Sequence, residues 1–296
     1  MMRSLYSAIT GLKNEQIAMD VIGNNIANVN TSGYKKSRTS FASMLGQAIR
    51  GASAPDSSAT PAYGGTNGIV VGLGSTLGSV DKVMGQGSSQ YTGKDTDMMI
   101  QGTGMFVLKL GGNNYYTRTG NFGFDKSGNL IDPSTGGLVQ GYAYNTATSS
   151  WPVDGTATDK ITFKLGDAHP SLAGYTLSSF SIDQSGIITG VYSNGTASAT
   201  LPMYKIVMAK FANDAGLSAQ GNNYFTESNN SGAADIGSAG TKGRGTIVPN
   251  TLEMSNVDLS QEFTDMIVTQ RGFQANSRVI TVSDTILQEL IDLKRS

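Results

Sequence analysis

The 296-residue sequence contains no cysteine and one histidine, His169. The lack of cysteine excludes disulfides, thiolate metal sites and cysteine nucleophiles, and one histidine cannot build a histidine-rich metal site. Charged residues make up 15% of the chain, against roughly 25% in an average soluble domain. With 21 Lys and Arg against 22 Asp and Glu, the chain has no cation excess, which excludes a nucleic-acid binder that works by neutralising phosphates.

Long hydrophobic runs are also missing. No stretch approaches the ~18 consecutive apolar residues of a transmembrane helix, so membrane insertion is excluded. Residues 1–7 lack the apolar segment of a cleavable secretion signal, which on its own predicts a cytoplasmic protein. Glycine is abundant instead, with 38 residues.

Residues 3–29 carry the pattern of a long helix. Apolar residues recur alternately three and four positions apart, as in the seam of a coiled coil. This seam comprises Leu5, Ala8, Leu12, Met19, Ile22, Ile26 and Val29, and Glu15 interrupts it. We expect fraying near residues 23–25, because Gly and Asn are poor helix formers. The segment from Asn28 to Gly33 predicts the stop.

The C-terminal segment mirrors this pattern. Asp258 and Gln261 have the spacing of a capping box, and from there to Lys294 there is no proline and one glycine, Gly272. The apolar members of its seam are Leu259, Phe263, Met266, Phe273, Ile280, Leu287 and Ile291, and its polar interruptions are Gln270, Ser277 and Asp284. A second stripe runs through Ile267, Val279, Val282, Ile286 and Leu290. Two apolar faces need two neighbours, and one N-terminal helix covers only one of them.

The middle of the chain has a different character. Residues 42–68 are rich in small residues and predict an extended arm, whereas 69–250 read as short strands separated by turns. Residues 98–100 and 105–108 flank a Gly-rich segment that predicts a hairpin. Residues 122–130 and 180–188 repeat a strand, an Asp-x-Ser-Gly turn and a second strand. Between these repeats, 144–178 indicate a short insert.

The sequence gives no positive sign of catalysis, a metal site or a cofactor. The two Gly-x-Gly segments, 72–74 and 102–104, do not lead into helices, so neither completes a dinucleotide fingerprint. His169 precedes a proline and is interpreted as an exposed loop residue. The basic segment Lys35, Lys36 and Arg38 is interpreted as solvated or in contact with another subunit rather than as a phosphate site. Scattered carboxylates leave a glycosidase-type pair open, but nothing points to one.

These patterns predict an α+β protein. Its N- and C-terminal helices form a discontinuous coiled-coil domain, and its central domain is mostly β. The apolar stripes are compatible with an ordinary intramolecular core. The doubled C-terminal stripe favours assembly into an oligomer or filament.

Both ends of the chain resemble the flagellar rod and hook protein family. The N-terminal match comprises residues 7–12 (SAITGL) and 19–35 (MDVIGNNIANVNTSGYK), and the C-terminal match comprises 252–259 (LEMSNVDL) and 269–277 (TQRGFQANS). The central segments 71–75, 101–106 and 116–122 are also similar. The motif residues carried by the resemblance are Gly23, Asn24, Asn25, Asn28, Asn30, Thr31, Gly33, Gln270, Arg271 and Asn276.

Within this family the arm is more similar to that of hook members, in 40–45, 51–55 and 64–67. The resemblance implies a structural subunit, not an enzyme, which polymerises into the tubular hook that transmits motor torque to the filament. It implies an axial helical domain from 1–40 and 254–296, an arm over 41–75 and a β-rich domain over 76–253. The segment 144–178 would be a reduced outer domain.

The resemblance also implies partners and a location. The expected partners are further copies of the chain, the distal rod, the hook cap, the hook–filament junction proteins and the flagellar type III export apparatus. Export by that apparatus needs no cleaved signal, so the implied location is extracellular. Two alternatives stay open: a distal rod protein of the same family, and a secreted β-rich enzyme or adhesin.

Overall fold

The described chain divides into two compact units in this computed structural model. The structure describes residues 2–55, 64–146, 149–155, 158–168 and 174–295. The terminal unit takes in the described residues of Met1–Ala27, Ser37–Lys82 and Asp258–Ser296, and the β unit takes in those of Asn28–Lys36 and Val83–Val257. His169 lies outside the described residues, as do parts of the expected arm and insert.

Two long helices end the described chain, as the apolar spacing predicts. Helix α1 spans Met2–Ala27 and helix α2 spans Leu259–Arg295. The expected fraying at residues 23–25 is wrong, because α1 continues through them. Tertiary hydrogen bonds of Asn25, described below, outweigh its low helix propensity. No described helix is long and apolar enough to cross a membrane.

The N-terminus of α2 is capped by Asp258. Its Oδ1 accepts hydrogen bonds from the backbone N–H of Ser260 at 2.9 Å and of Gln261 at 3.3 Å, which satisfies two donors that the helix leaves open. The reciprocal half of the capping box is not formed. The Gln261 side chain instead donates to Asp265 Oδ1 at 2.8 Å, one turn further along the helix.

Short strands complete the terminal unit. They are β1 (Ser37–Ser43), β2 (Gln47–Arg50), β3 (Ile69–Val71) and β4 (Ser75–Lys82). β1 pairs antiparallel with β4, with a bulge after Ser40, and β2 pairs antiparallel with β3. The expected boundary after residue 40 therefore falls inside β1, and β4 runs across the expected end of the arm. Helix α1 packs against β1, β4 and α2.

The β unit contains the remaining described strands. They are β5 (Ser89–Tyr91), β6 (Met98–Gln101), β7 (Met105–Leu110), β8 (Asn113–Thr117), β9 (Gly123–Phe124), β10 (Leu130–Ile131), β11 (Leu138–Ala143), β12 (Asp159–Lys160), β13 (Thr176–Ile182), β14 (Ile187–Ser193), β15 (Ser198–Lys210), β16 (Ser218–Gly221), β17 (Tyr224–Thr226), β18 (Asp235–Ser238), β19 (Thr246–Pro249) and β20 (Thr251–Glu253). The main path of its large sheet runs β13-β14-β15-β11-β7-β8-β17-β16.

Both faces of this sheet are buried at its centre. Along β7, Phe106 and Leu108 belong to one hydrophobic cluster, whereas Met105 and Val107 belong to another. β15 alternates in the same way between Ile206 and the next residue, Val207. Because successive side chains of a strand point to opposite faces, the two clusters lie on opposite sides of the sheet. Burial on both faces explains the continuous apolar runs of β7 and β15.

The two Asp-x-Ser-Gly repeats form the predicted turns. Asp125 Oδ1 accepts the backbone N–H of Ser127 and of Asn129 at 2.8 Å each, and this turn joins β9 to β10. Asp183 Oδ1 accepts the N–H of Ile187 at 2.8 Å, where β13 meets β14. The glycine of each turn has positive φ. The prediction of hairpin turns is confirmed.

The hairpin expected from residues 98–108 is wrong. β6 pairs with β19, and β7 pairs with β8, β11 and β15. Gly102 and Gly104 both have positive φ, at 103° and 126°. This backbone, which glycine allows, carries the chain from one sheet to another instead of folding it back on itself.

Candidate assembly surface

The two terminal helices run antiparallel in a fixed register. A Cβ built on Gly11 would lie 2.7 Å from Asn276 Nδ2, and one on Gly272 would lie 2.6 Å from Glu15 Oε1. Further along, Asn25 Nδ2 donates to Glu262 Oε2 at 3.0 Å. From Gly11 to Asn25 is 14 residues, and from Asn276 back to Glu262 is also 14. At these positions the helices meet through small and polar residues, and a glycine lies opposite Asn276 and opposite Glu15.

Asn25 is the most connected of the predicted motif residues in the terminal unit. Its side chain is 1% exposed. Nδ2 donates to the carbonyl of Ser37 at 2.9 Å as well as to Glu262, while Oδ1 accepts the N–H of Ser37 at 2.9 Å. One amide thus holds α1, the start of β1 and the first turns of α2 together. A buried amide satisfied at both ends is costly to replace.

The predicted seam residues differ in burial between the two helices. On α1, Ala8 is buried, and the others of its seam are half-buried, as is Val29 beyond the helix end. On α2, Met266, Ile280 and Leu287 are half-buried. The other four, Leu259, Phe263, Phe273 and Ile291, are exposed by 39%, 50%, 38% and 59%. Whether these residues contact neighbouring copies stays a prediction.

Six apolar side chains of α2, which we call the apolar α2 surface, stay about half-exposed within the described chain, in two groups along the helix. Each of its members is between 42% and 59% exposed: Phe263, Ile267, Val279, Val282, Ile286 and Leu290. Full burial of a side chain of this kind contributes about 1.5–3 kcal/mol, so covering its exposed half contributes roughly half of that. Exposed apolar side chains of this kind favour a protein–protein contact, which stays a prediction here.

The remaining motif residues lie around the ends and outer faces of the helices. Beyond the end of α1, the N–H of Thr31 donates to the carbonyl of Asn28 at 3.2 Å, and Thr31 Oγ1 donates to Asn28 Oδ1 at 3.2 Å. Asn24, Asn30, Gln270 and Arg271 are exposed, Asn276 is half-buried, and Gly23 has no neighbour within 4 Å of a built Cβ.

Gly33 closes the turn after α1 in a conformation that requires glycine. Its φ is +68°, and a Cβ there would lie 2.7 Å from the backbone nitrogen of Thr119. Its N–H donates to the carbonyl of Glu253 at 2.8 Å. The predicted stop of the helix is confirmed, and the turn is fixed by contacts within the β unit.

The β unit contains a buried cluster of three charges, which we call the Glu253 cluster. Lys35 Nζ lies 2.7 Å from Glu253 Oε1, and Arg118 Nη1 lies 3.2 Å from Glu253 Oε2. The three residues are between 1% and 5% exposed. The interpretation of Lys35 as solvated or as a subunit contact is therefore wrong. Its partner stands 218 residues away in the sequence, so no local pattern revealed the pair.

Hydrogen bonds to the backbone complete the Glu253 cluster. Lys35 Nζ donates to the carbonyl of Gly85 at 2.8 Å, and the N–H of Gly87 donates to Glu253 Oε1 at 2.9 Å. Arg118 Nη2 donates to the carbonyl of Gly102 at 2.6 Å. Burial lowers the pKa of Lys35, and the charge of Arg118 lowers it further. The charge and hydrogen bond of Glu253 act in the opposite direction, and the net shift is downward. The cluster joins five segments of the β unit.

A second buried arginine fixes the described part of the insert. Arg244 Nη2 lies 2.7 Å from Asp154 Oδ2, and Nη1 lies 3.0 Å from Asp235 Oδ2. Asp154 Oδ1 accepts the N–H of Ser238 at 3.0 Å and its hydroxyl at 2.8 Å. Although burial acts to raise the pKa of Asp154, hydrogen bonds from Ser238 and Thr241 and the charge of Arg244 together lower it.

Three sequence families match separate parts of the chain. Residues 5–35 match the family described as "Flagella basal body rod protein". Residues 99–190 match "Flagellar hook protein FlgE/F/G D1 domain", and residues 248–293 match "Flagellar basal body rod FlgEFG protein C-terminal". These matches include most of both helices, the Asp-x-Ser-Gly repeats and Glu253.

Full-length relatives are similar to the chain as well. The "Flagellar basal-body rod protein FlgG" of Bacillus subtilis (strain 168) is 43% identical over 296 residues, which is 100% of both chains. The "Flagellar hook protein FlgE" of Borreliella burgdorferi is 32% identical over 450 aligned residues, covering 99% of this chain and 100% of the relative. The protein of the same description from Treponema pallidum is 30% identical over 470 residues, covering 100% of both.

Proposed function

The chain belongs to the flagellar rod and hook protein family, and we propose that within this family it is a subunit of the hook. Members of the family are structural components of the flagellum that assemble as polymers in the basal body and the hook. The finer assignment, to the curved segment between basal body and filament, is the proposal.

The apolar α2 surface is the observation that supports polymerisation of this chain. Six large apolar side chains of α2 stay about half-exposed although α1 already packs against α2. In water such a surface favours association, because covering each half-exposed side chain contributes roughly half of the ~1.5–3 kcal/mol gained on full burial. Further copies of the chain would supply the second neighbour that the doubled stripe needs. Before assembly the helix ends would be marginally stable.

The arm supports the hook rather than the rod. Its segments 40–45, 51–55 and 64–67 resemble the arm of hook members, and two relatives described as hook proteins align over 99% and 100% of the chain. Those alignments run over 450 and 470 residues, so these hook relatives hold long segments that the 296-residue chain lacks. The chain would then be a hook subunit with a reduced outer domain.

A distal rod subunit is the second candidate. The 43% identity to the B. subtilis rod protein, with equal coverage of both chains, favours it. Both candidate subunits would contain the helix pair and would polymerise, but the two polymers differ in their mechanics. A hook is a bent tube in which each subunit lengthens and shortens once per turn, whereas a rod is a straight drive shaft.

The proposed mechanics use features of the terminal unit. Polar residues in the helix seams, Glu15, Gln270, Ser277 and Asp284, would set the register between packed helices at low sliding cost. The paired strands of the arm would act as a compliant strap. The subunit would leave the cell unfolded through the flagellar type III apparatus and meet the distal rod, the hook cap and the hook–filament junction proteins.

Electron microscopy of polymers from the purified full-length chain tests this proposal. A hook subunit forms tubes that bend, a rod subunit forms straight tubes, and an enzyme or adhesin forms none. A variant lacking residues 1–40 and 254–296 serves as the control, because it removes both helices and should yield no tubes. If only straight tubes form, the assignment to the rod replaces the assignment to the hook.

A further inference from the structure

A polar cleft opens beside α1 in the terminal unit. Its volume is about 500 Å³, and α1, β4 with the segment before it, Phe41 of β1 and α2 line it. Three glycines among its walls, Gly11, Gly72 and Gly74, leave it open. Its polar groups are Ser7, Asn14, Glu15, Ser75 and Asn276.

Glu15 is the charged group of this cleft. Among the described residues its carboxylate has no hydrogen bond and no ion pair. It lies over the backbone of α2 at Gly272, where the absence of a side chain makes room for it. Burial raises the pKa of Glu15, which means that the charged form is short of water and of partners. A cation that entered the cleft would relieve this shortage.

The rest of the cleft suits a guanidinium. Asn14 donates Nδ2 to Ser75 Oγ at 2.8 Å, and its amide oxygen has no partner among the described residues. The ring of Phe41 is 46% exposed and offers a face for a cation to stack on. A guanidinium carries five donors in a planar fork and stacks on aromatic rings, whereas an ammonium is a compact point charge.

Arg271 carries a guanidinium at the axial level of this cleft. It adjoins Gly272, the residue opposite Glu15, so the two differ by about 1.5 Å along the helix axis. Arg271 is exposed, and within the described chain it forms no hydrogen bond or ion pair. A contact between Arg271 of one copy and Glu15 of another therefore requires neighbouring copies with little axial offset, and this arrangement is part of the proposal.

We propose that Arg271 of one copy enters the Glu15 cleft of a neighbouring copy and forms an ion pair there. This inference rests on the proposed polymer and names one contact within it. The pair is heterologous, since each copy contributes its cleft to one neighbour and its arginine to another. Such contacts propagate along a row and do not close into a dimer.

Two other exposed cations provide matched controls. Arg278 lies on the same helix, six residues beyond Gly272, and is thus offset by about 9 Å along the axis. Lys13 lies on α1 near the level of Glu15, but two positions along a helix place it on a different face. Both are exposed. If either cation filled the cleft, its reversal would reproduce the effect expected for Arg271.

Charge reversal in full-length protein tests the pair. Glu15→Lys and Arg271→Glu should each raise the concentration needed for polymerisation by about tenfold or more, because each puts like charges together in a partly desolvated contact. An equal mixture of the two variants should polymerise close to wild type, since the cation introduced at position 15 of one chain then meets the carboxylate introduced at position 271 of the other. Arg278→Glu and Lys13→Glu should polymerise as wild type.

The mixture separates a contact between copies from a contact within one chain, because an intrachain pair is not restored by mixing. If the mixture polymerises, the proposal is supported even where each variant alone is poorly folded. Neither variant by itself contains opposite charges at positions 15 and 271, and only the mixture brings them together. If the wild type forms tubes and the mixture does not, the ion pair is wrong and the proposed polymer is unaffected. If Glu15→Lys polymerises when it is mixed with Lys13→Glu or with Arg278→Glu, the assignment of Arg271 as the partner of Glu15 is also wrong. Wild-type chains that stay monomeric overturn both proposals.

Discussion

Lys35 Nζ and Glu253 Oε1 lie 2.7 Å apart, and neither side chain has any exposure to solvent. The first residue follows the turn after α1 and the second ends β20, five residues before the cap of α2. The Glu253 cluster therefore ties the segments that adjoin both helices to the core of the β unit. A buried carboxylate with two cations has an exacting geometry, because each ion has lost its water.

Replacing Glu253 by Gln should destabilise the β unit by about 3–5 kcal/mol, since Lys35 and Arg118 would stay buried without a counter-charge. Urea unfolding followed by the fluorescence of Trp151, the sole tryptophan of the sequence, measures this. The control is Glu289→Gln on the exposed face of α2, for which we expect a change within about 0.5 kcal/mol. An equal, small effect of both variants would contradict the buried cluster.

Asp154 should contribute to the acid stability of the β unit. Its pKa in the folded chain is lowered from the ordinary value of 3.8, so the folded state prefers the carboxylate more than the unfolded state does. The stabilisation is complete above pH 3.8 and is lost as the pH falls through the lower, folded pKa. Unfolding midpoints measured between about pH 5 and 2 should fall less steeply for Asp154→Asn than for wild type. Parallel curves would contradict the assignment.

Two glycines of the N-terminal motif should respond to alanine with opposite sign. Gly33→Ala places a Cβ at φ +68° against the backbone of Thr119, which should cost about 1–3 kcal/mol. Gly23→Ala adds a methyl group to α1 where nothing lies within 4 Å, and should stabilise that helix by up to ~1 kcal/mol. Thermal unfolding followed by circular dichroism distinguishes them. Equal shifts would mean that the turn after α1 does not need its positive φ.

Phe273→Asp should abolish tube formation while leaving the β unit folded. Phe273 lies on α2 in the terminal unit and is 38% exposed, so the charge is outside the β unit and enters any contact made by that face. Sedimentation measures the polymer, and Trp151 fluorescence reports the β unit. Gln274→Asp, at the next and also exposed position, is the control and should still assemble. Normal assembly of Phe273→Asp would remove this residue from the seam.

The regular elements were predictable because their signals are local. Apolar spacing placed both helices, with the C-terminal one expected over 258–294 and found at Leu259–Arg295. The Asp-x-Ser-Gly turns follow from side-chain hydrogen bonds over four residues. The failures share a different cause. The hairpin at 98–108 was wrong because strand pairing depends on partners far along the chain, such as β19 for β6.

The candidate surface was predictable only in part. Apolar spacing identified the exposed apolar residues on α2, but it did not reveal that Gly11, Gly272, Asn276 and Glu15 take part in the contact between the helices. Glycine and asparagine carry no hydrophobic signal, so periodicity cannot reveal such a contact. Lys35 was misplaced for a related reason, since a lysine is expected at the surface unless its distant partner is known.

Immunogold electron microscopy of detached flagella, with antibody against this chain, tests the central claim most directly. The account predicts gold on the short curved segment between the basal body and the filament. Gold confined to the straight rod would contradict the hook assignment and support the rod candidate.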